Sequence, residues 1–144
     1  TPSTLADVPS SPDPSSPALI FYPTPSSPAT TFTYAALSSH VASLRGALAA
    51  AGLRRGDVAA IALFNTAEFV ATFLAVAGLG ATAAPLNPAY SVDEFEFSVA
   101  DAGCKAVIVH ADGTPGNAAA AAGKVGVPVW KVGYGVEEGA FELE

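Results

Sequence analysis

The chain has no methionine, one cysteine and one tryptophan, and only six basic residues against thirteen acidic ones in 144. Each shortage excludes something. Without methionine, residue 1 is not a translation start, so the sequence reads as a processed product or a piece of a longer chain. The lone Cys104 cannot close an internal disulfide, which suits a reducing, intracellular (cytoplasmic) setting. A net charge of −7 and a pI near 4.6 repel phosphate backbones and anionic headgroups, which argues against nucleic-acid and membrane partners. No stretch of about 18 apolar residues is free of charge or glycine, so no membrane span is expected. The positive mean hydropathy comes from alanine. The first 17 residues carry five prolines and no secretory pattern, and Glu142-Leu143-Glu144 is not a peroxisomal address. What the chain does have is 51% hydrophobic residues, enough to fill the core of one domain.

Residues 1–17 are low-complexity and are expected to form a flexible lead, with the folded unit at 18–144. Ala18–Tyr22 and Thr31–Thr33 predict a short β-hairpin around a Pro-rich loop at 23–28. From Tyr34 the apolar period changes: Leu37, Val41, Leu44 and Leu48 mark one stripe of a helix over 34–51, stopped by Gly52. Val58–Phe64 is short and uniformly apolar, as a buried parallel strand would be. A helix at 66–78 follows, with Glu68 in its first turn, then a strand at 81–86. Ser91 and Glu94 have capping-box spacing for a helix at 91–102, closed by Gly103. A third strand at 105–110, an Ala-rich helix at 117–125 and a fourth strand at 127–132 complete the pattern. The polyalanine Ala118–Ala122 favours helix but has little side chain to pack. The fold class is therefore α/β: a parallel sheet of about four strands in the order 2-1-3-4, helices on both faces, and an N-terminal hairpin.

Several residues have an interesting reading beside a plain one. His40 falls in a helix and His110 at a strand end, neither with acidic or cysteine neighbours at metal spacing. Cys104 precedes Lys105, which could lower a thiol pKa, but packing is the simpler account. Glu94 and Glu96, two apart on a helix, face different directions and do not form a carboxylate pair. Gly78-Leu79-Gly80 follows a helix and lacks the third glycine of a dinucleotide fingerprint. Asp112-Gly113-Thr114-Pro115-Gly116 does follow a strand and precede a helix, where backbone amides can cradle an anion. It lacks a phosphate-loop lysine, and Asp112 would repel a phosphate. No catalytic, cofactor-binding or metal-binding residue is assigned.

One long run carries a family resemblance. Arg55-Gly56-Asp57 leads into Val58–Phe64 and Asn65-Thr66-Ala67-Glu68-Phe69. Ala81-Thr82-Ala83-Ala84-Pro85-Leu86-Asn87-Pro88-Ala89-Tyr90, Asp93-Glu94-Phe95-Glu96-Phe97 and Cys104–Val109 follow. The chain resembles the N-terminal part of an acyl-adenylate-forming enzyme of the AMP-binding acyl-CoA synthetase superfamily, over roughly Ala18 to Val132. The pairing of Ala-Pro-Leu-Asn-Pro-Ala-Tyr with Glu-Phe-Glu-Phe is most similar to the oxalate–CoA ligase branch. Phe32-Thr33-Tyr34-Ala35-Ala36-Leu37 is similar to the family's helix start, except that Ala36 stands where glutamate is usual.

The resemblance implies a parent that joins a carboxylate, oxalate among the candidates, to CoA with ATP and Mg²⁺ and releases AMP and pyrophosphate. It also implies that the phosphate loop, the ribose-binding aspartate and the catalytic lysine belong to segments this chain does not contain, so the chain alone is expected to be inactive. Its implied partners are the remainder of the parent enzyme or a second copy of itself. The other reading is a truncated relative that acts as a protein-interaction or self-associating module without enzymatic activity.

Overall fold

The structure, a computed structural model, describes residues 5, 13–22, 28–135 and 140–144. Most of the Ser/Pro-rich lead and of the loop at 23–28 lies outside the described residues. Asp13–Ser16 form a turn in which the Asp13 carboxylate accepts from the Ser15 and Ser16 hydroxyls, and the carbonyls of Pro14 and Ser16 accept from the amides of Ala35 and Tyr34.

Strands β1 (Pro17–Phe21) and β2 (Thr30–Thr33) make the antiparallel hairpin. Helix α1 (Tyr34–Ala50) starts where the Thr33 hydroxyl accepts from the Ala36 amide, so a threonine cap secures the helix start although Ala36 has no side-chain group to add. Strand β3 (Val58–Ile61), α2 (Ala67–Gly78), β4 (Thr82–Pro85), α3 (Val92–Asp101), β5 (Ala106–His110), α4 (Gly116–Val125), β6 (Val129–Gly135) and β7 (Ala140–Leu143) follow. The sheet order is β4-β3-β5-β6-β7, with the first three pairings parallel and β6–β7 antiparallel. The four expected strands thus take the expected order. A fifth strand, β7, extends the sheet beyond them.

Successive strand residues alternate between two cores. Ala59, Ile61, Ala106 and Ile108 pack under α1 and α2; Ala60, Ala62, Val107 and Val109 pack under α3 and α4. The alanine run proves to have a packing role after all: Ala118, Ala121 and Ala122, at i, i+3 and i+4, are completely buried against α3. Small side chains let the two helices approach closely. Gly126 ends α4 at φ +82°, a left-handed position that suits glycine.

The apolar side chains of α2 and α3 are mostly covered: Phe95 and Val99 are fully buried and Phe69 and Phe73 pack half-buried against the core. Phe97 is exposed, at 70%. Among the described residues no helix is long and apolar enough to cross a membrane.

Candidate functional site

The order of the sheet reverses at β3. One crossover from β3 leads through α2 to β4, and the next lands β5 on the opposite side. In open α/β sheets the crevice beyond the strand carboxyl ends at such a reversal is the usual ligand position. Here it is an open crevice of about 440 Å³ over the ends of β3, β5 and β6.

Its wall is built by a departure from strand geometry. After Ile61 the Ala62 amide still bonds the Ile108 carbonyl at 2.9 Å, but the Phe64 amide donates to His110 Nε2 at 3.0 Å. A side chain has replaced the carbonyl that would have continued the ladder. This ends β3 at Ile61 rather than at Phe64, with Nε2 of the imidazole as the acceptor in this contact. The two rings stack with centroids 5.4 Å apart and planes 14° apart.

Around this pair stand Thr66, Glu68, Asp112 and Tyr134. Thr66 occupies the N-cap position of α2, yet its hydroxyl makes no capping bond and its Oγ1 is buried without a partner. Glu68 sits in the first turn of α2, where the helix dipole favours a carboxylate. Asp112 Oδ1 accepts from the Thr114 hydroxyl at 2.7 Å and the Thr114 amide at 2.9 Å. These bonds, the hydroxyl first, hold the exposed Asp112 carboxyl below the usual carboxylate range, and nearby His110 adds a smaller pull. At the floor Gly133 approaches Ala111 so closely that a Cβ on it would lie 2.8 Å from the alanine methyl.

Among the described residues no lysine or arginine lines the crevice, and two carboxylates do. That donor set does not fit a triphosphate, whose charge calls for cations and clustered amides. Among the described residues no group of three His, Cys, Asp or Glu side chains converges as a metal site would.

The singled-out residues fall elsewhere or take new partners. His40 lies edge-on to Phe32 and Tyr134 at 5.8 and 5.9 Å, and burial lowers its pKa. Cys104 is buried, and burial pushes its thiol pKa up against a smaller opposing effect of a hydrogen bond from Ala60. Lys105 pairs with Asp57 at 3.5 Å. Glu94 and Ser91 complete the capping box, and Glu96 pairs with Lys124 at 2.9 Å. Gly78-Leu79-Gly80 closes α2. Of these candidates only His110 and the Asp112–Gly116 loop meet in the crevice. Phe64 and Tyr134 were not singled out by sequence: Phe64 meets His110 across 46 positions, a pairing that local spacing does not encode.

Comparison with known proteins points one way. The chain matches the AMP-binding enzyme family over residues 9–141. An oxalate–CoA ligase of Arabidopsis thaliana is 49% identical over 63 residues, covering 44% of this chain and 12% of that protein. MatB from Rhodopseudomonas palustris, solved in the apo state and with ATP bound, superposes with TM-scores of 0.73 and 0.72 at 28% and 26% identity. Each superposition covers 96% of this chain and 26% of MatB. The N-terminal domain of FACL13 from Mycobacterium tuberculosis gives 0.56 at 34% identity over 60% of this chain and 22% of that one. The chain spans about a quarter or less of each of these proteins.

Proposed function

The chain belongs to the AMP-binding enzyme family, and from that membership we propose that it forms the N-terminal scaffold of an ATP-dependent acid–CoA ligase whose acid is oxalate. The parent reaction joins the carboxylate to AMP with loss of pyrophosphate, then passes the acyl group to the CoA thiol. The 49% identity to the plant oxalate–CoA ligase over 63 residues, beside the Ala-Pro-Leu-Asn-Pro-Ala-Tyr and Glu-Phe-Glu-Phe pairing, supports the choice of acid. The observation that carries the scaffold role is the acidic crevice. Adenylation needs Mg²⁺ and cationic or amide donors against the phosphates. Glu68 and Asp112 supply the opposite charge at the place where an open α/β sheet would hold such a ligand. The chain's contribution is a packed four-helix, five-strand platform against which the ATP-binding remainder is built.

Two measurements test this. The 144-residue chain with ATP, Mg²⁺, CoA and oxalate is expected to release no pyrophosphate. A chimera in which it replaces the matching segment of the Arabidopsis oxalate–CoA ligase is expected to fold and turn over oxalate. Turnover by the purified chain alone, or a folded chimera that is inactive on oxalate, would sink the proposal. The second reading, a self-associating module, draws on the exposed side chains of Ile20, Tyr22 and Phe97. It requires a dimer or larger species at micromolar concentration in sedimentation, and a single 14.3 kDa monomer would dismiss it.

A further inference from the structure

Phe64 is unusual in this molecule. One of its faces stacks on His110 and its own amide is anchored to that ring, yet the side chain stays 48% exposed at the crevice. A large aromatic fixed in position and left open to solvent is a ready stacking surface. Two carboxylates, Glu68 and Asp112, line the same crevice; neither pairs with a lysine or arginine among the described residues, and Asp112 has His110 nearby. Beside them the Thr66 hydroxyl is buried with its hydrogen-bonding capacity unused. Helix polarity accounts for Glu68 and the Asp112–Thr114 turn for Asp112, but neither accounts for both lining one crevice with an exposed, immobilised ring.

The chemistry of the lining selects among ligands. A phosphate or carboxylate would meet two negative charges and, among the described residues, no lysine or arginine. Among the described residues a divalent cation finds no converging set of ligands. A compact ammonium would leave the flat face of Phe64 unmatched and would give up more hydration. We propose that this crevice binds a planar nitrogen cation of the guanidinium or amidinium class, its face on Phe64 and its N–H edge toward Glu68 and Asp112. A delocalised planar cation is weakly hydrated, stacks on an aromatic face and donates in-plane to carboxylates, so each element of the crevice meets a matching part of the ligand. The cation belongs either to a small molecule or to an arginine side chain, which present the same group. The net charge of −7 adds a long-range attraction for it.

The test is a titration of the full 144-residue chain, followed by NMR, with benzamidine, an acetylated Gly-Arg-Gly amide, and benzamide as the neutral isostere of benzamidine. Benzamidine or the arginine peptide should move the resonances of Phe64, His110 and Asp112, and benzamide should not. Phe64→Ala and Phe64→Leu should each weaken binding by about fivefold, the size expected of a partly desolvated cation–π contact. Because Phe64 lies outside the core, both variants should keep the wild-type circular dichroism. Glu68→Gln and Asp112→Asn should each weaken binding less and flatten its salt dependence. Tighter binding of benzamidine assigns the site to a small molecule, and tighter binding of the peptide assigns it to arginine. The proposal is overturned if neither cation binds at tens of millimolar, if benzamide binds as well as benzamidine, or if Phe64→Leu binds as the wild type does.

Discussion

The two faces of the sheet reach the same burial by opposite means. On one, α1 and α2 fill the space with Leu37, Leu44, Leu48 and Leu74 over Ile61, Ile108 and Trp130. On the other, α3 and α4 meet through Phe95 and Val99 against Ala118, Ala121 and Ala122. The first face distributes its volume over many flexible aliphatic side chains. The second concentrates it in the Phe95 ring, which Tyr90 meets edge-on at 5.6 Å, and otherwise relies on alanine and valine. Many leucines can share the adjustment to a lost group, whereas alanines have no side-chain rotamers and valines few with which to refill the place of a large ring.

The largest expected effect follows. Phe95→Ala should destabilise the chain by about 3–5 kcal/mol, since the alanines and stiff valines of its core refill a cavity poorly. Leu48→Ala, equally buried but among leucines, should fall lower within its range of about 2–5 kcal/mol. Urea denaturation of both variants gives the ordering, and a Leu48→Ala loss exceeding that of Phe95→Ala would break the comparison. A change of side-chain shape should keep the same ranking of the faces. Ala121→Leu must separate α3 from α4 and should cost about 1–3 kcal/mol, while the volume-conserving Leu44→Met should cost less than about 1.5. Equal losses would mean that α4 is not held at close approach.

This division explains which parts of the fold could be read in the sequence. The leucine stripe of α1 repeats at helical spacing, and Val107 to Val109 form an uninterrupted apolar run, so those elements and the strand order were legible. The packing role of the alanine run was not, because a helix made of methyl groups shows no amphipathic contrast until its partner is known. Strand β7 has four residues and is held by pairing with β6, from Val132–Leu143 to Gly135–Ala140, rather than by any pattern of its own. The crevice was half legible. A loop after a strand marks the carboxyl end of the sheet, so Asp112–Gly116 drew notice, and His110 was weighed alone. Their meeting with Phe64 depends on β3 and β5 being neighbours, which is a property of topology and not of spacing.

The helix starts repeat the contrast at a smaller scale. Over the alanine-rich face, α3 begins with a complete capping box, and Ser91→Ala should cost about 1 kcal/mol. Over the leucine-rich face, α2 begins at Thr66, whose hydroxyl caps nothing and is buried without a partner. Thr66→Ala should therefore be close to neutral or slightly stabilising, since it removes an unsatisfied polar atom rather than a bond. Thermal melts of the pair should differ by several degrees in that direction. A Thr66→Ala loss as large as that of Ser91→Ala would show that this hydroxyl does cap α2 in solution.

The smallest expected effects come from titration, and they too divide by face. His40 packs with Phe32 and Tyr134 beside the leucine core, and burial lowers its pKa from 6.5. The unfolded chain then takes up this proton first. Stability is whole above pH 6.5 and declines as the pH falls below it, until the folded histidine protonates as well. Cys104 lies in the alanine core, and burial raises its pKa from 9.0. There the unfolded chain loses the proton first, so stability is whole below pH 9 and declines as the pH rises above it. The carboxyls of Asp13, Glu94 and Asp112 are held low by their hydrogen bonds and contribute losses only near and below about pH 4, below the range in which His40 acts. Urea midpoints across this range should show both declines in the wild type. His40→Gln should reduce the acid one without touching the alkaline one, and Cys104→Ala should do the opposite. An acid decline that persists unchanged in His40→Gln would mean that the ring is not shielded by its two aromatic neighbours, and the leucine-rich face would then carry no titrating group inside its packing.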